Sequence, residues 1–359
     1  MTNREGEILR IIAENPMISQ QALAERLGIQ RSSVAVHISR LISKGLIAGR
    51  GYILGGTPPV VVVGGSNMDI QGYPDQPLRR RDSNPGRVLL SPGGVGRNIA
   101  ESLARLEVPV KLLSVVGDDD HGRQILESSR TAGVDVSHLL VTQQHSTAVY
   151  LSILDETGDM DLALVQGTIN SVLDREYLKQ KRSIIENAAA LVVEANLDQE
   201  VIEVLCRSVQ DVPVFVDPVS SVKARKLRPL LDAIHTLKPN ALEAQELTGV
   251  EITSEADLER AADVLLQAGV QNVAVSWGSA GTYYLNSRES GWVRPEGVSR
   301  VVSATGAGDA FLAGLVQSFL RGEEFSRGVH HGSALARRIL TGQGLSPPPG
   351  EALSSDVSK

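Results

Sequence analysis

Four consecutive valines, Val60 to Val63, follow the stiff stretch Thr57-Pro58-Pro59. A continuous β-branched run without polar alternation fits a strand buried on both faces, and the prolines before it mark the start of a new unit. Comparable runs recur at Lys111 to Val116, Ala190 to Val193, Val214 to Val216 and Val273 to Ser276, with helical stretches such as Asn98 to Leu106 and Leu258 to Ala268 between them. Strands alternating with helices predict an α/β fold on a mostly parallel sheet. Two segments break the pattern. Thr147 to Leu154 and Asp161 to Gln166 flank the turn Glu156-Thr157-Gly158, and the chain after Asp69 is rich in Pro, Gly and Arg; together they predict a small lid sheet. The Pro-rich tail from Ser346 onward reads as a frayed terminus.

At roughly 150 residues per domain, 359 residues predict about two domains. Aromatic residues make up only 3%, so an aliphatic core is expected and composition argues against a base-stacking RNA platform. The single cysteine, Cys206, excludes an internal disulfide or a cysteine zinc cluster and fits a packing role in a reducing compartment. No Gly-Lys dipeptide, His-Glu-x-x-His or Gly-x-Ser-x-Gly occurs, which removes P-loop, zincin and serine-hydrolase chemistry. The histidines, including adjacent His330 and His331, show no ligand spacing and read as solvated or packed. No run approaches the roughly 18 apolar residues of a membrane span and the start lacks a signal-peptide core, so a cytoplasmic protein with no membrane partner is expected.

Charge divides the chain. Residues 1–57 carry seven Lys or Arg against four acids, and the remainder 28 against 38, so a basic head precedes an acidic body. In the head, Ile8, Leu9, Ile11 and Ile12 form a helical stripe that Asn15-Pro16 stops. Ser19 caps a second helix with Leu23, Ala24 and Leu27 inward, and Gly28 supplies the turn into a third. That third helix buries Val34, Ile38, Leu41 and Ile42 and turns Gln30, Arg31, Ser33, His37 and Arg40 outward, a polar face suited to a major groove. Gly45-Leu46-Ile47 and Tyr52-Ile53-Leu54 flank Gly49-Arg50-Gly51, predicting a wing with Arg50 at its tip. Residues 1–57 thus resemble a winged helix-turn-helix DNA-binding domain of bacterial regulators. A small helical docking or dimerisation module is the alternative.

Chemistry concentrates in Ser303-Ala304-Thr305-Gly306-Ala307-Gly308-Asp309-Ala310-Phe311. A glycine-rich turn leads into a helix whose buried stripe is expected to be Phe311, Leu312, Leu315, Val316, Phe319 and Leu320. Small residues let an anion approach the amides at the helix's positive end, with Asp309 placed to take a proton from an attacking hydroxyl. By itself such a turn also serves as an ordinary helix cap.

The longer stretch resembles the second signature of the PfkB carbohydrate kinases, the ribokinase-like sugar and nucleoside kinases. Three further motifs agree in order: Gly65-Ser66-Asn67-Met68-Asp69, Gly93-Gly94-Val95-Gly96-Arg97-Asn98 and Lys238-Pro239-Asn240-Ala241-Leu242-Glu243. The resemblance implies a three-layer α/β/α sandwich with a β-sheet lid over residues 58–350. It also implies ATP as phosphoryl donor, Asp309 as base, and Gly306, Ala307 and Gly308 as anion hole. Asn67, Asp69, Gly93, Gly94 and Asn98 would bind the acceptor, with Asn196 at a further sugar-contacting position. Asn240, Gly278, Gly281 and Thr305 would border ATP, and Glu243 would hold magnesium through water. Ser83-Asn84-Pro85-Gly86, Val214 to Ser220 and Ile234 to Asn240 are most similar to the branch that phosphorylates pseudouridine at its 5′ hydroxyl. Uridine, inosine, adenosine and ribose are the alternative acceptors, and a nucleoside-sensing transcription regulator is the alternative role. Where the family opens its second signature with Asp-Thr-Thr, this chain has Ser303-Ala304-Thr305, which leaves potassium dependence open; His330-His331 likewise replace small or amide residues near the adenine. A homodimer is expected, because winged helices and lid sheets of this kind pair.

Overall fold

The computed structural model describes residues 2–48, 57–209, 211–295, 301 and 305–345. The head is three helices, Asn3–Glu14, Gln20–Leu27 and Arg31–Ser43. The Ser19 hydroxyl accepts from the Ala22 amide at 3.1 Å, and Gly28 takes the left-handed conformation (φ 62°) that ends the second helix. Ile8, Ile12, Leu23, Val34, Ile38 and Leu41 close a separate small core. Ile42, expected inward, is 49% exposed because it stands at the margin of the stripe formed by Val34, Ile38 and Leu41. The wing tip with Arg50, and Tyr52-Ile53-Leu54, lie outside the described residues.

The body holds an eight-stranded sheet in the order Ser290–Val293, Thr282–Asn286, Asn272–Ser276, Thr236–Leu237, Val214–Asp217, Ala190–Glu194, Val60–Val63, Val110–Leu113. The last six strands run parallel and the first two add an antiparallel hairpin. Val60–Val63 pairs with neighbours on both edges and is wholly buried, which is why every position is a valine. Its alternate residues feed two cores, Val61 and Val63 on one face, Val60 and Val62 on the other. The first face is covered by Arg175–Glu186, Gln199–Ser208, Ala241–Thr248 and Glu255–Gln267, the second by Val95–Arg105, Ala307–Leu320 and Phe325–Leu340, giving three layers. The last two helices touch backbone to backbone: a Cβ on Gly314 would lie 2.7 Å from the Gly332 Cα, and one on Gly332 would lie 2.6 Å from the Phe311 carbonyl.

A second sheet, ordered Gly86–Gly93, Asn67–Pro74, Ala148–Leu154, Met160–Gln166, forms the lid. The Lys111 to Val116 run divides at Ser114, whose buried hydroxyl bonds Ser66 Oγ at 2.9 Å; beyond it Val115–Gly117 leaves the main sheet and pairs with Leu140–Thr142. Phe319 and Leu320, expected in the buried stripe of their helix, are each 37% exposed, Phe319 because it faces a cavity rather than the core and Leu320 as the last residue of the helix. Among the described residues no helix is long and apolar enough to cross a membrane.

Candidate active site

The carboxyl ends of the parallel strands converge, where open α/β sheets bind ligands. Gly306, left-handed at φ 84°, caps the Ala307–Leu320 helix and places Asp309 in its first turn. Asp309 is 8% exposed, and its carboxyl is pushed up to about 7 by burial first and then by the nearby Asp217 carboxylate. Asn98 Nδ2 donates to Asp309 Oδ2 at 3.0 Å and works against that shift.

Facing the glycine turn is a lysine that sequence reasoning quoted but did not place in the site. Lys238 Nζ pairs with Asp217 Oδ2 at 3.1 Å and would lie 3.0 Å from a Cβ on Gly308. Burial disfavours its charge, but Asp217, Glu243 and Asp309 outweigh that and raise its pKa, so the group stays an ammonium. Asp217 is held in turn, its Oδ1 accepting from the Val219 amide at 2.8 Å, with Val219 in the left-handed region at φ 65°. A β-branched residue there is strained, and such strain gathers where a site must be held in one geometry. The available signal was Lys238 itself, a charged residue between a buried strand and a proline.

Two clefts meet at the turn. One, of about 430 Å³, is lined by Asp69, Ser91, Asn98, Thr305 and Gly306. The other, of about 350 Å³, is lined by Lys238, Gly278, Gly281, Ala307, Gly308 and His330. Residues 305–306 thus face one cleft and 307–308 the other, with Asp309 in the next position. In the first cleft Asn67 Nδ2 donates to Asp69 Oδ1 at 2.5 Å, and burial raises the Asp69 pKa. Gly93 and Gly94 are needed for close approach: a side chain on Gly93 would overlap the Asp69 carboxylate, and one on Gly94 would lie 2.7 Å from the Ser66 Cα.

Asn240 and Glu243 form a reciprocal cap at the start of Ala241–Thr248, with Glu243 N donating to Asn240 Oδ1 at 2.9 Å and Asn240 N to Glu243 Oε2 at 2.8 Å. Burial and then Asp217 raise the Glu243 pKa. Asn240 and Gly278 border one further cleft. Asn196 is placed differently: its amide donates to Glu194 Oε2 and accepts from Lys223 Nζ, both at 2.5 Å, and it does not line the cleft that holds Asp69. Glu194, fully buried, accepts from the Gly65 amide at 2.6 Å and braces the turn before Asn67. The histidine pair divides, His330 lining the second cleft while His331 Nε2 bonds Gln317 Oε1 at 2.8 Å. In the head, Arg31, Ser33 and Arg40 are exposed and His37 is half-buried.

A parallel α/β sandwich with a lid and a buried carboxylate beside an anion cradle between two clefts defines a phosphotransferase of ribokinase-like fold. Residues 58–351 match the pfkB family carbohydrate kinases, and residues 1–48 match winged helix-turn-helix DNA-binding domains. The chain belongs to the PfkB family and is an ATP-dependent sugar or nucleoside kinase with a winged-helix head. It is 40% identical to the uncharacterised sugar kinase YeiI of Escherichia coli K12 over 99% of this chain and 98% of that one. Identity to the pseudouridine kinase of the same organism is 39%, over 79% of this chain and 90% of the other. A crystal structure from Clostridium perfringens superposes with a TM-score of 0.72 at 33% identity, covering 81% of this chain and 93% of that one.

Proposed function

We propose that residues 58–350 transfer the γ-phosphoryl group of ATP to the 5′ hydroxyl of a ribonucleoside, with pseudouridine the preferred acceptor. The observation that carries this is the position of Asp309, one residue beyond the turn that divides the two clefts and 3.0 Å from Asn98. The 39% identity to a pseudouridine kinase supports the acceptor.

In this reading Asp69, steadied by Asn67, and the Gly93-Gly94 backbone hold the ribose, and Asn98 orients Asp309. As the 5′ oxygen bonds to the γ-phosphorus and the bridging oxygen leaves with ADP, Asp309 takes the hydroxyl proton. The amides of Gly306, Ala307 and Gly308, with Lys238 behind them, stabilise charge on the transferring group. Gly278 and Gly281 border the nucleotide, with Asn240 beside Gly278, while Thr305 faces the acceptor cleft. Among the described residues no three His, Cys, Asp or Glu side chains form a metal cage. Glu243 alone suits a magnesium ion held mainly by phosphate oxygens and water, and when bound that ion neutralises the triphosphate. Positioning and charge complementarity supply most of the acceleration.

The test is steady-state ATP consumption with pseudouridine, uridine, inosine, adenosine and ribose, alongside Asp309→Asn. Preference for pseudouridine, with turnover in the variant lowered roughly 10²–10⁴-fold, supports the assignment; preference for another acceptor, or undiminished turnover, overturns the corresponding part. The exposed Arg31, Ser33 and Arg40 favour a second role in DNA binding, with Arg50 of the wing. Residues 1–57 would form that unit.

A further inference from the structure

We propose that the cavity under the C-terminal end of the Ala307–Leu320 helix is a second ligand site, for an uncharged planar nitrogen heterocycle of nucleobase size. Its volume is about 550 Å³, within the range that takes small molecules. Thr236 and Asn272, the first residues of two parallel strands, help to line it, so it lies at the sheet edge opposite Lys238 and the cradle.

The chain contains four phenylalanines, and three of them, Phe215, Phe319 and Phe325, line this one cavity. Phe319 stands edge-on to Phe215 at 5.4 Å between centroids and to His235 at 4.9 Å, and its exposed face leaves a flat apolar wall. Such walls bind rings by stacking. His235 Nδ1 is committed to Thr236 Oγ1 at 2.9 Å, and burial lowers its pKa, so it adds a neutral ring.

Ser318 supplies the independent sign of a ligand. It lines the cavity, is 1% exposed, and its hydroxyl has no hydrogen-bond partner. Buried hydroxyls left this way are costly and rare, and a ring nitrogen or carbonyl would satisfy it. Gly328, on the opposing helix, also lines the cavity, and a Cβ there would crowd the Ser318 Cβ at 3.3 Å, so the missing side chain keeps that wall small. Charge sets the ligand class. Arg288 is outnumbered at the rim by Glu289, Glu323 and Glu324, so a phosphate-bearing nucleotide is repelled while a neutral base is admitted.

Saturation-transfer NMR on the full chain, with ATP saturating and no acceptor, would use adenine, uracil, AMP and UMP as probes. The expected result is transfer to at least one free base, at least tenfold weaker binding of its nucleotide, and a loss of fivefold or more in affinity in Ser318→Ala and in Phe319→Ala. Ser318→Ala should also keep or raise the melting temperature without ligand, because it removes an unpaired buried hydroxyl; a structural serine would lower it. Absence of transfer to either base, equal binding of the nucleotides, or base binding indifferent to both substitutions would each overturn the proposal.

Discussion

At the scale of single residues, Asp309 is expected to set both rate and stability. With its folded-state pKa near 7 against an ordinary 3.8, the folded protein holds a proton across that window that the unfolded chain has released. Stability therefore falls as pH rises from about 4 to 7 and stays depressed above it. Asp309→Asn removes this penalty, so the variant should be more stable than wild type at pH 8, by up to about 4 kcal/mol, while the difference vanishes near pH 4. Denaturant titrations at the two pH values check this. The same ionisation should make kcat/KM drop roughly tenfold between pH 8 and pH 6.

Lys238 is the other residue whose charge matters. Lys238→Met alone would strand Asp217 as an unpaired buried carboxylate, at about 3–5 kcal/mol, so the informative variant is Lys238→Met with Asp217→Asn. If the ammonium stabilises the transferring phosphate, kcat falls by about 10²-fold while the KM for the acceptor stays within a few-fold. An unchanged kcat would remove Lys238 from the reaction.

At the scale of elements, the sequence was most legible where one physical demand dominated. Val60–Val63 is buried on both faces and could be little else, and the Ala307 helix is announced by its glycine turn. Asp309, Asn98, Asp69 and the glycines were singled out by their resemblance to the family's motifs, and the structure puts Asp69, Asn98 and Gly306 around one cleft with Asp309 bonded to Asn98. Lys238 was not given a role, since its meaning lies in a contact with Gly308, seventy residues further on, that local pattern does not encode. Phe319 misled for a related reason: helical periodicity shows which face is apolar and says nothing about where the core beneath it stops.

The lid makes its own prediction. Its registers put Val88, Leu90, Leu162 and Leu164 on one face, all exposed, and Asp69 with its partner Ser91 on the other. An apolar face turned away from the cleft suits a second copy of the chain. Leu90→Lys with Leu164→Lys should convert a dimer to a monomer in sedimentation velocity while leaving the main sheet folded; a wild-type monomer would refute the pairing.

At the scale of the whole molecule, a basic head on an acidic body confines any DNA contact to one end. Fragment binding should weaken steeply with salt, and Arg31→Ala with Arg40→Ala should lower the salt slope by about two if both meet phosphates. Gel shifts across a salt series read both, and binding indifferent to salt would argue for a docking module instead.

The helices joined at Gly314 and Gly332 wall three cavities at once. Phe311 and His330 face the second cleft, Ile339 the first, and Phe319 and Gly328 the distal one. With no side chain between the two backbones to yield, a chemist who enlarges an inhibitor in any one of these cavities pushes on a partition shared with the others. Selectivity would then have to be screened against all three pockets together, as for a single jointed target.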